Sequence, residues 1–177
     1  MLNQQAVLKD AYYLLCIFMA GRTIFDITNA CQRVHGGSEQ SDEPLFTLYH
    51  NFNDDEINHT LIKLAIYNRK HMEFLYAHEN IEEYEYPENP CGTLINDVEQ
   101  NNVDCKLYFR EACHKIIHAE KHEAVFIENE DIIKSPEYML PMHHIIFLYG
   151  TRNGINWKAE LDVLQFIRET IKNINFW

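Results

Sequence analysis

The apolar residues of this chain change their spacing twice, and that constrains the fold more than any other property of the sequence. From about Asn3 to Arg33, Leu8, Ala11, Tyr12, Leu15, Phe18, Met19 and Phe25 recur at steps of three and four, which puts them on one face of a long helix ended by Gly36-Gly37. From Ala124 to Asn129, Met139 to Gly150 and Gly154 to Leu161 the helical step gives way to runs rich in Val, Ile, Phe, Tyr and Trp. Arg152-Asn153-Gly154 separates the last two runs, and because Asn and Gly tolerate positive φ it predicts a hairpin. From about Asp162, Val163, Phe166, Ile167, Ile171 and Ile174 return to helical spacing nearly as far as Trp177.

Between these limits the pattern predicts further helices. Asn53 or Asp54 caps the second, with acids in its first turn and a buried face of Ile57, Leu61, Leu64, Ala65, Met72 and Leu75. The third runs from about Lys106 to Lys121 on a stripe of Phe109, Ala112, Cys113, Ile116 and Ile117. The segment from His35 to Phe52 reads as a long connection with one docked apolar stretch, Leu45-Phe46-Thr47-Leu48-Tyr49. In Glu79 to Cys105, Pro87, Pro90 and Gly92 exclude a long element and leave room for a short helix at Thr93 to Gln100. The expected fold is mainly α (α+β): about four helices with a small antiparallel hairpin sheet before the C-terminal helix. The 177 residues suit a single domain, 1–177, and show no internal repeat.

Composition narrows the class. With 46% hydrophobic and 24% charged residues and only 6 Gly and 5 Pro, the chain is neither disordered nor collagen-like. Its longest apolar run, Ala11 to Ala20, is ten residues, against the roughly 20 that a membrane span needs. The N-terminal residues lack the basic region and cleavage site of a signal peptide, so a cytoplasmic location is expected. Five Cys without C-x-x-C spacing predict reduced thiols rather than a disulfide framework or structural zinc.

Charge speaks to partners. The net charge is −12, and it is unevenly placed. Gly36 to Thr60 holds Glu39, Asp42, Glu43, Asp54, Asp55 and Glu56 with no Lys or Arg, and Glu79 to Cys105 holds eight acids, again with no Lys or Arg. Together they carry 14 of the 27 acids; the other 13 face all 15 cations, so the acidity of the protein resides in these two segments. Such a surface repels phosphate backbones and attracts basic partners.

Three groups of side chains invite a chemical reading. On the third helix, Arg110, His114 and His118 stand four residues apart and share one face, where a guanidinium beside two imidazoles suits phosphate binding or acid–base chemistry. The plainer reading is of partly buried, hydrogen-bonded histidines near the loop acids. Second, His114, His118 and His122, with His143 or His144, are metal-ligand types. However, three successive turns span about 12 Å, and His118-Ala-Glu-Lys-His122 places its acid one position late for H-E-x-x-H, so no metal or other cofactor is expected. Cys113, on the core stripe, reads as a buried thiol. No nucleophile elbow, P-loop, dinucleotide fingerprint or calcium loop occurs. Third, Glu79, Glu82, Glu83, Tyr84, Glu85, Tyr86 and Glu88 combine tyrosine contact area with charge, the composition of a surface for a basic protein or of a solvated loop.

Ala112-Cys113-His114-Lys115-Ile116-Ile117-His118-Ala119 resembles the signature helix of HEPN-like domains, small helical proteins whose active members carry an Arg, then a polar residue, then a His in a ribonuclease site. Here Cys113 stands at the Arg position, His114 at the polar one and His118 at the His; Arg110 is a turn too early. The resemblance implies a degenerate, inactive, all-α scaffold. The longer run Tyr108 to Ala119, with the hairpin and closing helix after it, is similar to small bacterial proteins that include immunity proteins of contact-dependent growth inhibition systems, some neutralising ribonuclease A-like toxins. That resemblance implies a non-catalytic inhibitor of a basic nuclease toxin, with no direct nucleic-acid or membrane partner, and the charge placement agrees with it. The expected partner-binding residues are the Glu79 to Glu88 group with Asp54, Asp55, Glu56 and Tyr49. The alternative is a metal-independent ribonuclease using Arg110, His114 and His118.

Overall fold

The computed structural model describes residues 3–35, 44–77, 87, 89–100, 105–126 and 142–174. The fold is α+β. Helices α1 (Gln4–His35) and α2 (Pro44–Ala77) come first, then strands β1 (Pro90–Ile95) and β2 (Cys105–Tyr108), helix α3 (Phe109–His118), strands β3 (Lys121–Phe126), β4 (Met142–Arg152) and β5 (Ile155–Asp162), and helix α4 (Val163–Ile174). The strands form one antiparallel sheet in the order β2-β1-β5-β4-β3. Among the described residues no helix is long and apolar enough to cross a membrane.

Central strand β5 shows why the sheet forms. Trp157, Ala159 and Leu161 alternate inward and are buried, while Asn156 and Glu160 point outward and are exposed. Its hairpin partner β4 is held by a two-residue turn in which Asn153 (φ 53°) and Gly154 (φ 79°) both adopt positive φ, the geometry whose twist matches the flanking strands. The chain then enters α4 at once: the Asp162 carboxylate accepts the Gln165 N–H at 2.9 Å and caps the helix. At the other end, Asn3 caps α1 by accepting the Ala6 N–H at 3.2 Å. One apolar cluster joins α1 (Val7, Ala11, Leu14, Phe18), α2 (Ile57, Leu61, Leu64, Ala65, Met72), the inner face of the sheet, α3 and α4, with the Phe109 and Phe166 rings 5.4 Å apart.

Several expectations need correction. The sheet contains the three expected runs as β3, β4 and β5 and adds β1 and β2, which excludes an all-α scaffold. Thr93 to Gln100 is not helical: β1 pairs with β5, Thr93 opposite Glu160, and residues 96–100 form a turn in which Asp97 accepts the N–H groups of Glu99 and Gln100. Gly92, at φ 146°, makes this possible, since a Cβ there would strike the Glu160 carbonyl. The third helix begins at Phe109 and ends at His118, because residues 105–108 pair with β1 and Lys121 already belongs to β3. Ile171 is 39% exposed and leaves the closing helix's core stripe. The expected stop at Gly36-Gly37, the end of β3 at Asn129 and the start of β4 at Met139 fall outside the described residues.

The largest correction concerns α2. It starts at Pro44, not after Phe52, so Asn53 is no cap but a buried mid-helix residue, and Asp54, Asp55 and Glu56 stand three turns inside the helix. Pro44 opens the helix because its φ is already helical, and no Gly or Pro interrupts the chain before Ala77. Of the apolar stretch, Leu45 and Leu48 are exposed and Tyr49 docks on α1, while the side chain of Phe46 lies outside the described residues. The helices run antiparallel, Asp10 bonding Lys63 at 2.7 Å and the Ile17 carbonyl accepting the Tyr49 hydroxyl at 3.3 Å.

A buried polar seam ties α2 to α4. Asn68 Nδ2 donates to Thr170 Oγ1 at 3.0 Å and Asn173 Nδ2 to Asn68 Oδ1 at 2.9 Å. Beside it, fully buried Glu169 receives Asn89 (3.1 Å), Gln165 (3.1 Å) and Lys172 (2.7 Å), all on Oε1. Burying a carboxylate is tolerated when charge-assisted bonds replace its water.

Candidate functional site

The structure divides the expected site residues among separate places. Helix α3 brings Arg110, His114 and His118 to one face, as the four-residue spacing requires. The two imidazoles meet edge to face with ring centroids 4.6 Å apart, while the Arg110 guanidinium lies 5.7 Å from the Tyr76 ring of α2. His114 Nδ1 is 3.6 Å from Glu111 Oε1. Burial holds His114 below the ordinary histidine range; Glu111 opposes the shift and His118 adds to it. At neutral pH His114 is therefore uncharged, and its ring rests against that of His118.

Inside the same helix, Lys115 is 2% exposed, which the sequence reading missed because a lysine on a mostly apolar face reads as solvent-bound. Its Nζ lies 4.2 Å from the Trp157 ring centroid and 3.6 Å from Glu111, so a cation–π contact and an ion pair replace its hydration. Burial lowers its pKa, with Glu111 opposing. The Trp157 ring in turn covers Gly150, where a Cβ would collide with it. Cys113 is fully buried, as expected, and burial pushes its thiol far above the ordinary range; Cys91 is raised to about 12 for the same reason.

The histidine series does not continue beyond His118. The helix has ended, and His122 sits on β3 opposite Leu148, its pKa lowered by burial, while His144 lies 3.9 Å from Asp162. Among the described residues no group of three His, Cys, Asp or Glu side chains is arranged to hold a metal ion.

Of the acidic tyrosine segment, Glu79, Glu82, Glu83, Tyr84, Glu85, Tyr86 and Glu88 lie outside the described residues. Its flanks are defined: α2 ends at Ala77, Pro87 is buried and Asn89 is tied to Glu169. Asp54, Asp55 and Glu56 are exposed on α2, and about 30 Å of helix axis separates Glu56 from Ala77. Tyr49 is half-buried: its hydroxyl bonds Ile17 and stands where a Gly21 Cβ would be, and burial pushes its pKa up to about 12, with Asp54 adding and an Asn53 hydrogen bond opposing. It staples α1 to α2.

Next to that staple is a feature the sequence reading did not contain. An open groove of about 290 Å³ runs between α1 and α2, walled by Tyr13, Ile17 and Ala20 on one side and Leu48, Tyr49 and Phe52 on the other, with Glu56 at its edge. Leu48 is 58% and Phe52 61% exposed. The signal was present: counting back from Ile57 by helical steps gives Asn53 and Tyr49 as the core-facing positions, which leaves Leu48 and Phe52 turned off the core. No family model matches the chain, and no curated protein or solved structure shows significant similarity to it.

Proposed function

We propose that this chain is a binding protein that captures a basic polypeptide and occludes its working surface, as a toxin-neutralising immunity protein does. The observation that carries the reading is the placement of charge. Fourteen of the 27 acids lie in two segments with no Lys or Arg, and of these Asp54, Asp55 and Glu56 stand exposed on α2. A nuclease that holds RNA is basic, so an inhibitor with concentrated acidity meets it faster and is shielded from RNA itself. In this reading Tyr84 and Tyr86 supply contact area and Tyr49 stiffens the hairpin that presents the acids. The word immunity rests on the resemblance of Tyr108 to Ala119. The role needs neither catalysis nor a cofactor.

The test is recovery of the tagged chain from its native cells at moderate salt, with mass spectrometry of what stays bound. A stoichiometric basic polypeptide, released at high salt, is expected. Replacing Glu82, Glu83 and Glu85 by Lys then weakens its capture and flattens the salt dependence; unchanged binding removes this segment from the interface.

One observation favours a second reading, a metal-independent ribonuclease: Arg110, His114 and His118 do share one face of α3, with two imidazoles in contact. The Arg110 guanidinium, however, is turned to Tyr76, and imidazoles in ring contact leave no space for a phosphate between them. RNA cleavage by the purified chain that His118→Ala abolishes would establish this reading over the first.

A further inference from the structure

We infer that the groove between α1 and α2 receives a basic amphipathic helix of a protein partner, its apolar side chains on Leu48 and Phe52 and its cations on Asp55 and Glu56. This rests on the binding reading above and names the contact that confers specificity within it.

Among the residues whose side chains are described, the last buried apolar position of α1 is Phe18 and the first of α2 is Ile57. Ahead of Ile57, Leu45, Leu48 and Phe52 form an exposed stripe along α2 at steps of three and four, and an apolar surface of this kind on a soluble chain marks a contact site. Shape selects the form of the ligand. The groove lies along two antiparallel helices for about 12 Å, close to two helical turns, which matches a third helix laid between them with anchors at i, i+3 or i+4, and i+7.

Charge selects its composition. Asp55 continues the stripe of Leu48 and Phe52, Glu56 lines the groove, and no Lys or Arg occurs from Gly36 to Thr60. Helix α1 adds no net charge over residues 8–30, where Lys9 and Arg22 offset Asp10 and Asp26. A second copy of this chain would bring like charge against like, and so would an anionic membrane surface; a helix with Leu or Phe on one side and Lys or Arg flanking it meets both features at once. The apolar contact then sets how long the complex lasts, and the acids set how fast it forms and how salt weakens it.

The test uses the full chain and fluorescein-labelled 14-residue peptides of Leu and Lys. One peptide is ordered as an amphipathic helix, one is scrambled so that no apolar face forms, and one is the amphipathic order with Glu for Lys. Fluorescence anisotropy at low and high salt is expected to show the amphipathic Lys peptide binding about ten-fold tighter than the scrambled one, with the Glu peptide not bound. Phe52→Ser and Leu48→Ser, both at exposed positions, lower that affinity about ten-fold with the circular dichroism spectrum unchanged; Glu56→Lys lowers it and flattens the salt dependence; Ile155→Ser, an exposed apolar residue at the β4–β5 hairpin, changes nothing. Equal binding of the two Lys peptides, or binding that Phe52→Ser leaves intact, overturns the groove and leaves the acidic-surface reading standing. Binding of the Glu peptide as tight as that of the Lys peptide overturns both. A dimer in sedimentation equilibrium that Phe52→Ser dissolves assigns the groove to a second copy and overturns the inference.

Discussion

The two ends of the α1–α2 pair obey different rules. Near the body, Val7, Ala11 and Leu14 of α1 and Leu61, Leu64 and Ala65 of α2 are buried against the sheet and α4. At the far end, Leu45, Leu48 and Phe52 are as apolar as anything in the core and stand in solvent. Both stretches are helix by the same local spacing, so helicity and stability come apart here. The near end holds the fold together, and the far end keeps surface available at a cost that the near end offsets.

The largest expected effect that can break this comparison is in paired truncations. Phe166→Ala removes a fully buried ring packed on Phe109 and should cost about 3–5 kcal/mol in urea unfolding, whereas Phe52→Ala at the far end should stay within about 0.5 kcal/mol. Comparable costs would mean that the far end is part of the core. Next is the polar seam: Glu169→Ala removes the buried acceptor shared by Asn89, Gln165 and Lys172 and should cost about 1.5–3 kcal/mol in the same measurement, because bonds to a charged group are lost together.

The pH dependence follows with a smaller effect and a definite sign. His71 is buried, and burial holds its imidazole below the ordinary range, with a backbone bond at Asn173 opposing. The unfolded chain therefore binds the extra proton first. Stability is full above the unfolded histidine value of about 6.5 and is lost as the pH falls from there through the lower, folded value, and His114 and His122, also lowered by burial, act in the same direction. The urea midpoint at pH 5 should lie below that at pH 7.5, and His71→Gln should narrow the gap; a midpoint that rises on acidification contradicts this account. The smallest effect belongs to the staple. Tyr49→Phe removes the bond to Ile17, costs about 1 kcal/mol, and raises amide hydrogen exchange around residues 17–21 and 45–52 while the sheet stays protected. Faster exchange throughout the sheet would show that the hairpin and body open as one unit.

How much was legible depends on the range of the interaction that decides each feature. The core face of α2 from Ile57 to Leu75 and the turn at Asn153-Gly154 were readable, since each is set within a few residues of itself. The face shared by Arg110, His114 and His118 was readable too, but the engagement of Arg110 with Tyr76 was not, because those residues belong to different helices. The first turns of α2 were misread because Asp54, Asp55 and Glu56 imitate a helix start, and the groove went unseen with them.

By itself, then, the sequence determined the helical and strand periods, the hairpin turn and the separation of acids from cations, all properties of neighbours along the chain. Only the tertiary structure decided that residues 90–95 form a strand, since that depends on Thr93 finding Glu160 across the sheet. It also decided that Lys115 and Glu169 are buried while Leu48 and Phe52 are not. Backbone propensity and periodicity report which side of an element is apolar. What covers that side, or leaves it bare, is settled by packing between residues far apart in the chain, where the burial energy is gained.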